Sequence, residues 1–176
     1  MYKYTFDKNM FRYSVTGTGV FCILIGLYSI GMLVMGNALF WVPLIVCVYQ
    51  VINTFVSISN PAEITISPET LTFSAYGKTH SYPMSEIESL QVKELDLHKK
   101  MYVRLNEPTF TRGRYWVMCG KMNDSKQLWD QMIYLEYSKD PNQLKFRARV
   151  PVNPYKAEEV QETTELSENT NTTSDE

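Results

Sequence analysis

Two histidines, three cysteines and nineteen carboxylates are the side chains of this 176-residue chain with the widest chemical repertoire. His80 lies in a short alternating run, and His98 belongs to the Lys-rich turn His98-Lys99-Lys100. Neither stands in a catalytic or metal-ligand motif. Cys22 and Cys47 fall inside long apolar runs and Cys119 ends a candidate strand; none has a CxxC or His-spaced neighbour, so no disulfide framework or zinc site is indicated. Gly17-Thr18-Gly19 lacks the Lys and the preceding strand of a phosphate loop. Glu86/Glu88 and Glu94/Asp96 read as solvated strand edges. The sequence predicts no catalytic residue, no metal and no cofactor, and points away from an enzyme.

The elements that would position any site begin with a gap in the charges. Between Arg12 and Glu63 fifty residues pass without one Asp, Glu, Lys or Arg, although 20% of the chain is charged. A charge at the centre of a bilayer costs roughly 2.5–3.5 kcal/mol on insertion scales, so such silence marks lipid. Gly36-Asn37 divides the stretch into Val15–Met35 and Ala38–Ile58, each with about the 20 residues that cross a bilayer. These form a predicted transmembrane hairpin over 15–58, after an N-terminal arm over 1–14. The arm carries Lys3, Lys8 and Arg12 against Asp7, and bases return after the second span. The positive-inside rule then places both termini in the cytoplasm of a two-span cell-membrane protein. Residues 1–38 also resemble a signal peptide ending in Gly36-Asn37-Ala38, but a second apolar span follows at once.

Within the first span Thr18, Cys22, Gly26 and Ser29 recur at helical spacing, a stripe of small residues that lets helix backbones approach. In the second, Gln50, Asn53, Thr54 and Ser57 form a polar face expected to hydrogen-bond across the hairpin or to a second copy, since lipid offers no partner. A water-lined path through a homo-oligomer is the alternative, and no ionisable residue at membrane depth supports it. Phe11, Tyr13, Phe40 and Trp41 flank the spans where aromatic belts sit.

After Asn60-Pro61 the pattern changes to alternation: Ile64/Ile66, Leu71/Phe73/Ala75, Thr79–Tyr82, Leu90/Val92, Met101/Val103/Leu105 and Arg114–Cys119. Strands at about ten-residue intervals indicate an antiparallel sheet bent into a sandwich or barrel. Asp124 with Gln127 reads as a capping box, and Leu128, Trp129, Met132, Ile133 and Leu135 make an apolar helical face that stops at Asp140-Pro141. A cytoplasmic domain is thus predicted over 60–140, with a basic linker over 141–156 and a tail over 157–176. The tail holds seven acids and no base and is too polar to bury a core, so disorder is predicted.

This layout resembles the bacterial PH-like (pleckstrin-homology-like) membrane proteins. Their line I-x-I-x-x-x-x-L-x-F … G-K … x-P-x-x-E-I is matched by Ile64, Ile66, Leu71, Phe73, Gly77, Lys78, Pro83, Glu86 and Ile87. The layout is similar over 1–140 and the motif over 64–95, with the EbsA-type envelope proteins of Gram-positive cocci as nearest kin. The resemblance implies a membrane α-hairpin plus an α+β PH-like domain, an antiparallel six- to seven-stranded bent sheet or barrel with one C-terminal helix. PH domains of eukaryotes bind phosphoinositides through bases between their first two strands. Here that place reads as Ser67-Pro68-Glu69-Thr70, with an acid and no base.

Two basic clusters, Lys99/Lys100 and Lys145/Arg147/Arg149, are the candidate membrane or partner surface, each base being worth about 1 kcal/mol beside an anionic leaflet. Nucleic acid is not expected, because residues 60–156 carry only fourteen bases against eleven acids. The expected function is a non-enzymatic integral membrane protein that presents its domain to a protein partner or the membrane surface at the bacterial envelope. A pore or channel subunit assembled from hairpins is the alternative.

Overall fold

The computed structural model describes residues 1–148 and 150–155, which divide into one unit over 1–125 and a second from 126 onward. Arg149 and the predicted disordered tail over 157–176 lie outside the described residues.

The first unit begins with a strand, β1 (Tyr2–Thr5), where the sequence reading has a free arm. Its signal is the alternation Tyr2, Tyr4, Phe6, and Tyr4 and Phe6 are both buried. Asp7 then caps a long helix, its carboxylate accepting from the Asn9 and Met10 amides at 2.9 and 3.0 Å. That helix, α1 (Lys8–Val34), has 27 residues and rises about 40 Å. Gly36 at φ +90 ends it: its amide donates to Leu33 O at 2.9 Å and that of Asn37 to Met32 O at 3.1 Å, the Schellman pattern. The chain returns as α2 (Ala38–Val56), 19 residues and about 28 Å, with Pro43 in the first turn after Trp41, where a missing N–H costs nothing.

Both helices are long and apolar enough to cross a membrane, and their outer faces are bare. Phe21, Leu24, Leu27, Val42, Ile45 and Val46 are 59–68% exposed. Each helix changes to a π-helical turn at the end nearest the sheets, Arg12–Thr16 in α1 and Ile52–Val56 in α2.

The rest of the unit is two antiparallel sheets. One has the order β1-β2-β3-β4, with β2 (Glu63–Ile66), β3 (Thr70–Ala75) and β4 (Lys78–Pro83). The other has the order β5-β6-β7, with β5 (Leu90–Leu95), β6 (Lys100–Leu105) and β7 (Arg114–Val117). Tyr4 lies opposite Ile64, and Ile64 opposite Phe73, so strands on either side of the hairpin share one ladder. Period-two alternation turns Ile64, Ile66, Leu71 and Phe73 to the core from one sheet, and Leu90, Met101, Val103, Tyr115 and Val117 from the other. Phe73 stacks on Tyr115 with ring centroids 4.0 Å apart and planes 7° apart, joining the sheets. One corner is closed by the Phe6–Met122 bridge and by Asn123, whose side-chain oxygen accepts from the Thr5 amide at 2.6 Å.

The segment Ser67-Pro68-Glu69-Thr70 is therefore the β2–β3 turn, and the connection between the first two strands is the α1–α2 hairpin.

In the second unit α3 (Ser125–Lys139) buries Leu128, Gln131, Met132, Ile133 and Glu136. The predicted linker contains a short helix, α4 (Leu144–Ala148), whose Phe146 packs edge-on to Tyr137 at 5.2 Å.

Candidate functional site

The predicted small-residue stripe faces α2 in part. Gly26 and Ser29 are buried, and a Cβ on Gly26 would lie 3.7 Å from that of Cys47. Cys22 is half-buried, and its thiol is near enough to that of Cys47 for the two to interact electrostatically. Thr18 is exposed instead, its hydroxyl donating to Ser14 O at 2.8 Å, and Gly19 takes the seam position. A Cβ at Gly19 would lie 2.6 and 2.7 Å from two ring carbons of Phe55, so only glycine fits unless that ring moves.

The polar face of α2 does not bond across the hairpin. Ser57 Oγ donates to Asn53 O at 2.9 Å and meets Ser59 Oγ at 2.9 Å, and Ser59 Oγ donates to Asn53 Oδ1 at 2.7 Å. Among the described residues Gln50 reaches only Thr54, at 3.5 Å. These side chains satisfy one another and the freed backbone where α2 unwinds, so short polar residues at this spacing terminate the helix locally.

The junction between hairpin and sheets is built on the β3–β4 turn. Tyr76 and Gly77 both take positive φ, 53 and 75, which a tight two-residue hairpin requires. The Tyr76 ring sits 5.4 Å from Phe11 of α1 and 5.3 Å from Phe55 of α2, and its hydroxyl is 2.9 Å from Thr16 Oγ1. Phe11 is thus buried under Phe6 and Tyr76 and is no belt residue, whereas Tyr13 is 90% exposed. Lys78 Nζ donates to Phe55 O at 3.2 Å, and Lys121 Nζ to Ser14 Oγ at 2.8 Å. On the β6–β7 loop, Phe110 meets Tyr49 of α2 at 5.8 Å. One aromatic wedge and two lysines therefore fasten the sheets to the ends of both helices.

A polar chain lies between the sheets. Arg112 donates from its guanidinium to Ser81 O at 3.0 Å and to the Tyr82 hydroxyl at 3.4 Å, with the guanidinium 4.9 Å from the Tyr82 ring centre. The Tyr82 and Tyr115 hydroxyls are 2.7 Å apart, and Tyr115 is 2.7 Å from His80 Nδ1. Arg112 only donates, so the orientation that uses every proton runs from Arg112 through Tyr82 and Tyr115 to Nδ1 of a neutral His80. Burial lowers the His80 pKa below 6.5, and Arg112 and Lys78 lower it further. Burial, with the Tyr82 hydrogen bond, pushes the Tyr115 phenol well above its usual range, so it holds its proton at neutral pH. Sequence reading missed this chain; alternation puts His80 and Tyr82 on one face of β4, but their meeting with Tyr115 depends on how the sheets pack.

Cys119 is fully buried, which pushes its pKa up to about 12 and leaves an unreactive thiol. Among the described residues no group of three or more His, Cys, Asp or Glu could hold a metal ion.

The two predicted basic clusters differ in kind. Lys99 and Lys100 occupy the β5–β6 connection, with Lys99 at φ 47 after a 3-10 turn. Its Cβ packs on Gly120, where an added Cβ would lie 3.0 Å away. Lys145 is ion-paired to the buried Glu136 and lies over the Phe146 ring at 4.9 Å, so it neutralises its own unit instead of offering a free charge. Arg147 is exposed. Comparison with protein-family models, curated proteins and solved structures found no match.

Proposed function

We propose that this chain is a non-enzymatic, two-span integral membrane protein of the bacterial cell envelope. Both termini lie in the cytoplasm, and a PH-like domain is held against the inner leaflet as a platform for protein or membrane-surface contacts. Kinship with the EbsA-type PH-like membrane proteins belongs to the same proposal. The observation that carries it is the β1–β2 ladder, Tyr2–Thr5 against Glu63–Ile66, which returns both ends of the hairpin to one sheet. Two crossings then leave residues 2–5 and every later strand on one side. In water the bare faces of α1 and α2 would form an apolar patch far larger than soluble monomers carry, so lipid accounts for them. Four strands, then three, then a helix also fits the layout that PH-like kinship implies.

The platform is favoured over a pore because the polar residues of α2 are spent on one another and on the helix end. Full-length protein in phosphatidylglycerol–phosphatidylcholine vesicles tests the reading. Retention after alkaline carbonate washing, with ion flux no greater than that of empty vesicles, is expected. Release into the wash would remove the membrane reading, and protein-dependent flux would favour the pore.

A further inference from the structure

We propose that the outer face of the β5-β6-β7 sheet is a docking surface for an extended acidic segment of a partner protein. The registers place two cross-strand rows on that face: Lys93 opposite Tyr102 opposite Trp116, and Arg104 opposite Arg114. Lys100 joins them two residues before Tyr102 on β6. The alternate positions, Val92, Met101, Val103, Tyr115 and Val117, all turn into the core, so the face is set by register. It bears four cations and no carboxylate. Among the described residues Lys93, Lys100, Arg104 and Arg114 make no side-chain hydrogen bond or ion pair.

A solvated strand face normally alternates its charges; like charges directly opposite destabilise an antiparallel pair. Arg104 and Arg114 are such a pair, with Cβ atoms about 5 Å apart. Two guanidinium forks at that separation can share a carboxylate or grip successive ones, geometry that Lys cannot reproduce. Beside them Trp116, 39% exposed, packs on Tyr102 at 4.5 Å. Exposed Trp, Tyr and Arg together are the side chains that carry most interface energy.

The occupant is a polypeptide because of how the sheet hangs. The Trp116 amide donates to Ser59 O at 2.6 Å, three residues past the end of α2. The β7 edge is therefore nearest the hairpin, with β6 and β5 stepping away by about 4.8 Å each. A bilayer meets this sheet along its edge, whereas an extended chain can lie across both rows. A single-stranded nucleic acid needs free ring faces for its bases, and Tyr102 and Trp116 cover one another.

This inference rests on the platform reading and names its partner's chemistry. The test uses the full chain in phosphatidylcholine nanodiscs and a fluorescein-labelled Glu-rich decapeptide followed by anisotropy, with its Gln counterpart and a thymidine decanucleotide alongside. The Glu peptide is expected to bind and the Gln peptide not. R104Q/R114Q should weaken binding at least about tenfold while leaving the melting temperature unchanged or higher, since a repulsive pair has gone; a structural role would lower it. Trp116→Ala should weaken binding by about tenfold, R104K/R114K should recover only part, and Arg147→Gln should change nothing. Equal binding of both peptides, tighter binding of the oligonucleotide, or indifference to R104Q/R114Q would overturn the surface. A chain that enters the discs and ignores the Glu peptide refutes this surface alone; one that never enters them refutes the membrane reading with it.

Discussion

Tyr76 occupies a turn position that its own backbone disfavours, which gives a substitution whose sign is informative. At φ 53 an L residue with a bulky side chain is strained by about 1–2 kcal/mol, and Asn, common in such turns, relieves part of that, roughly 1 kcal/mol. If Tyr76 were only a turn residue, Tyr76→Asn would stabilise the protein. The ring, however, packs on Phe11 and Phe55 and its hydroxyl bonds Thr16. Two aromatic pairs at about 0.5–1.5 kcal/mol each and one hydrogen bond of similar worth give a gross loss of about 1.5–4.5 kcal/mol. The net expectation is a loss of about 0.5–3.5 kcal/mol, from about one to several degrees in Tm for a chain of this length. Intrinsic tryptophan fluorescence of the full chain in detergent, heated or titrated with denaturant, reads it. A double-mutant cycle with Phe55→Ala should return a coupling of about 0.5–1.5 kcal/mol. A Tyr76→Asn protein as stable as the parent, or more so, would refute the wedge that joins sheets to helices.

Three further outcomes are expected. Tyr4→Ala, which empties a fully buried site on β1, should cost about 3–5 kcal/mol in the same unfolding assay, whereas a free arm would make it neutral. Copper-phenanthroline should link Cys22 to Cys47 within one chain, giving faster migration on non-reducing gels that Cys22→Ser abolishes; a dimer band in its place would contradict the seam. His80 is faced by Tyr115, Tyr82, Arg112 and Lys78, and its folded pKa lies below 6.5. On acidification the unfolded chain takes up that proton first, so stability falls as pH drops below about 6.5. His80→Gln should flatten Tm between pH 7.5 and 5.5; an unchanged slope would assign the effect to other groups.

Much of this architecture is legible in the residues. The charge gap with its Gly36-Asn37 break marks the two helices, and period-two alternation marks most strands, because burial on one side leaves a local signature. Four features are not settled by such local patterns. β1 is four residues long and its partner lies beyond the hairpin, so the short Tyr2, Tyr4, Phe6 alternation does not reveal that Tyr4 lies opposite Ile64. The polar residues of α2 read as interhelical glue because spacing reports which face they share, not that Ser59, past the helix, turns back to Asn53. Lys145 reads as a free base because it follows the Asp140-Pro141 helix stop, so no helical spacing pairs it with the buried Glu136. The His80–Tyr115–Tyr82–Arg112 chain joins positions 80 to 115 through sheet packing, which no local pattern reports.

Vectorial labelling of single cysteines tests the central claim most directly. In a chain with Cys22, Cys47 and Cys119 replaced by Ser, Asn37→Cys sits at the hairpin turn and Glu69→Cys on the β2–β3 turn. A membrane-impermeant maleimide applied to right-side-out vesicles should modify Asn37→Cys alone, and applied to inverted vesicles Glu69→Cys alone. Modification of both positions from the same side would contradict two crossings with the sheets at the inner face.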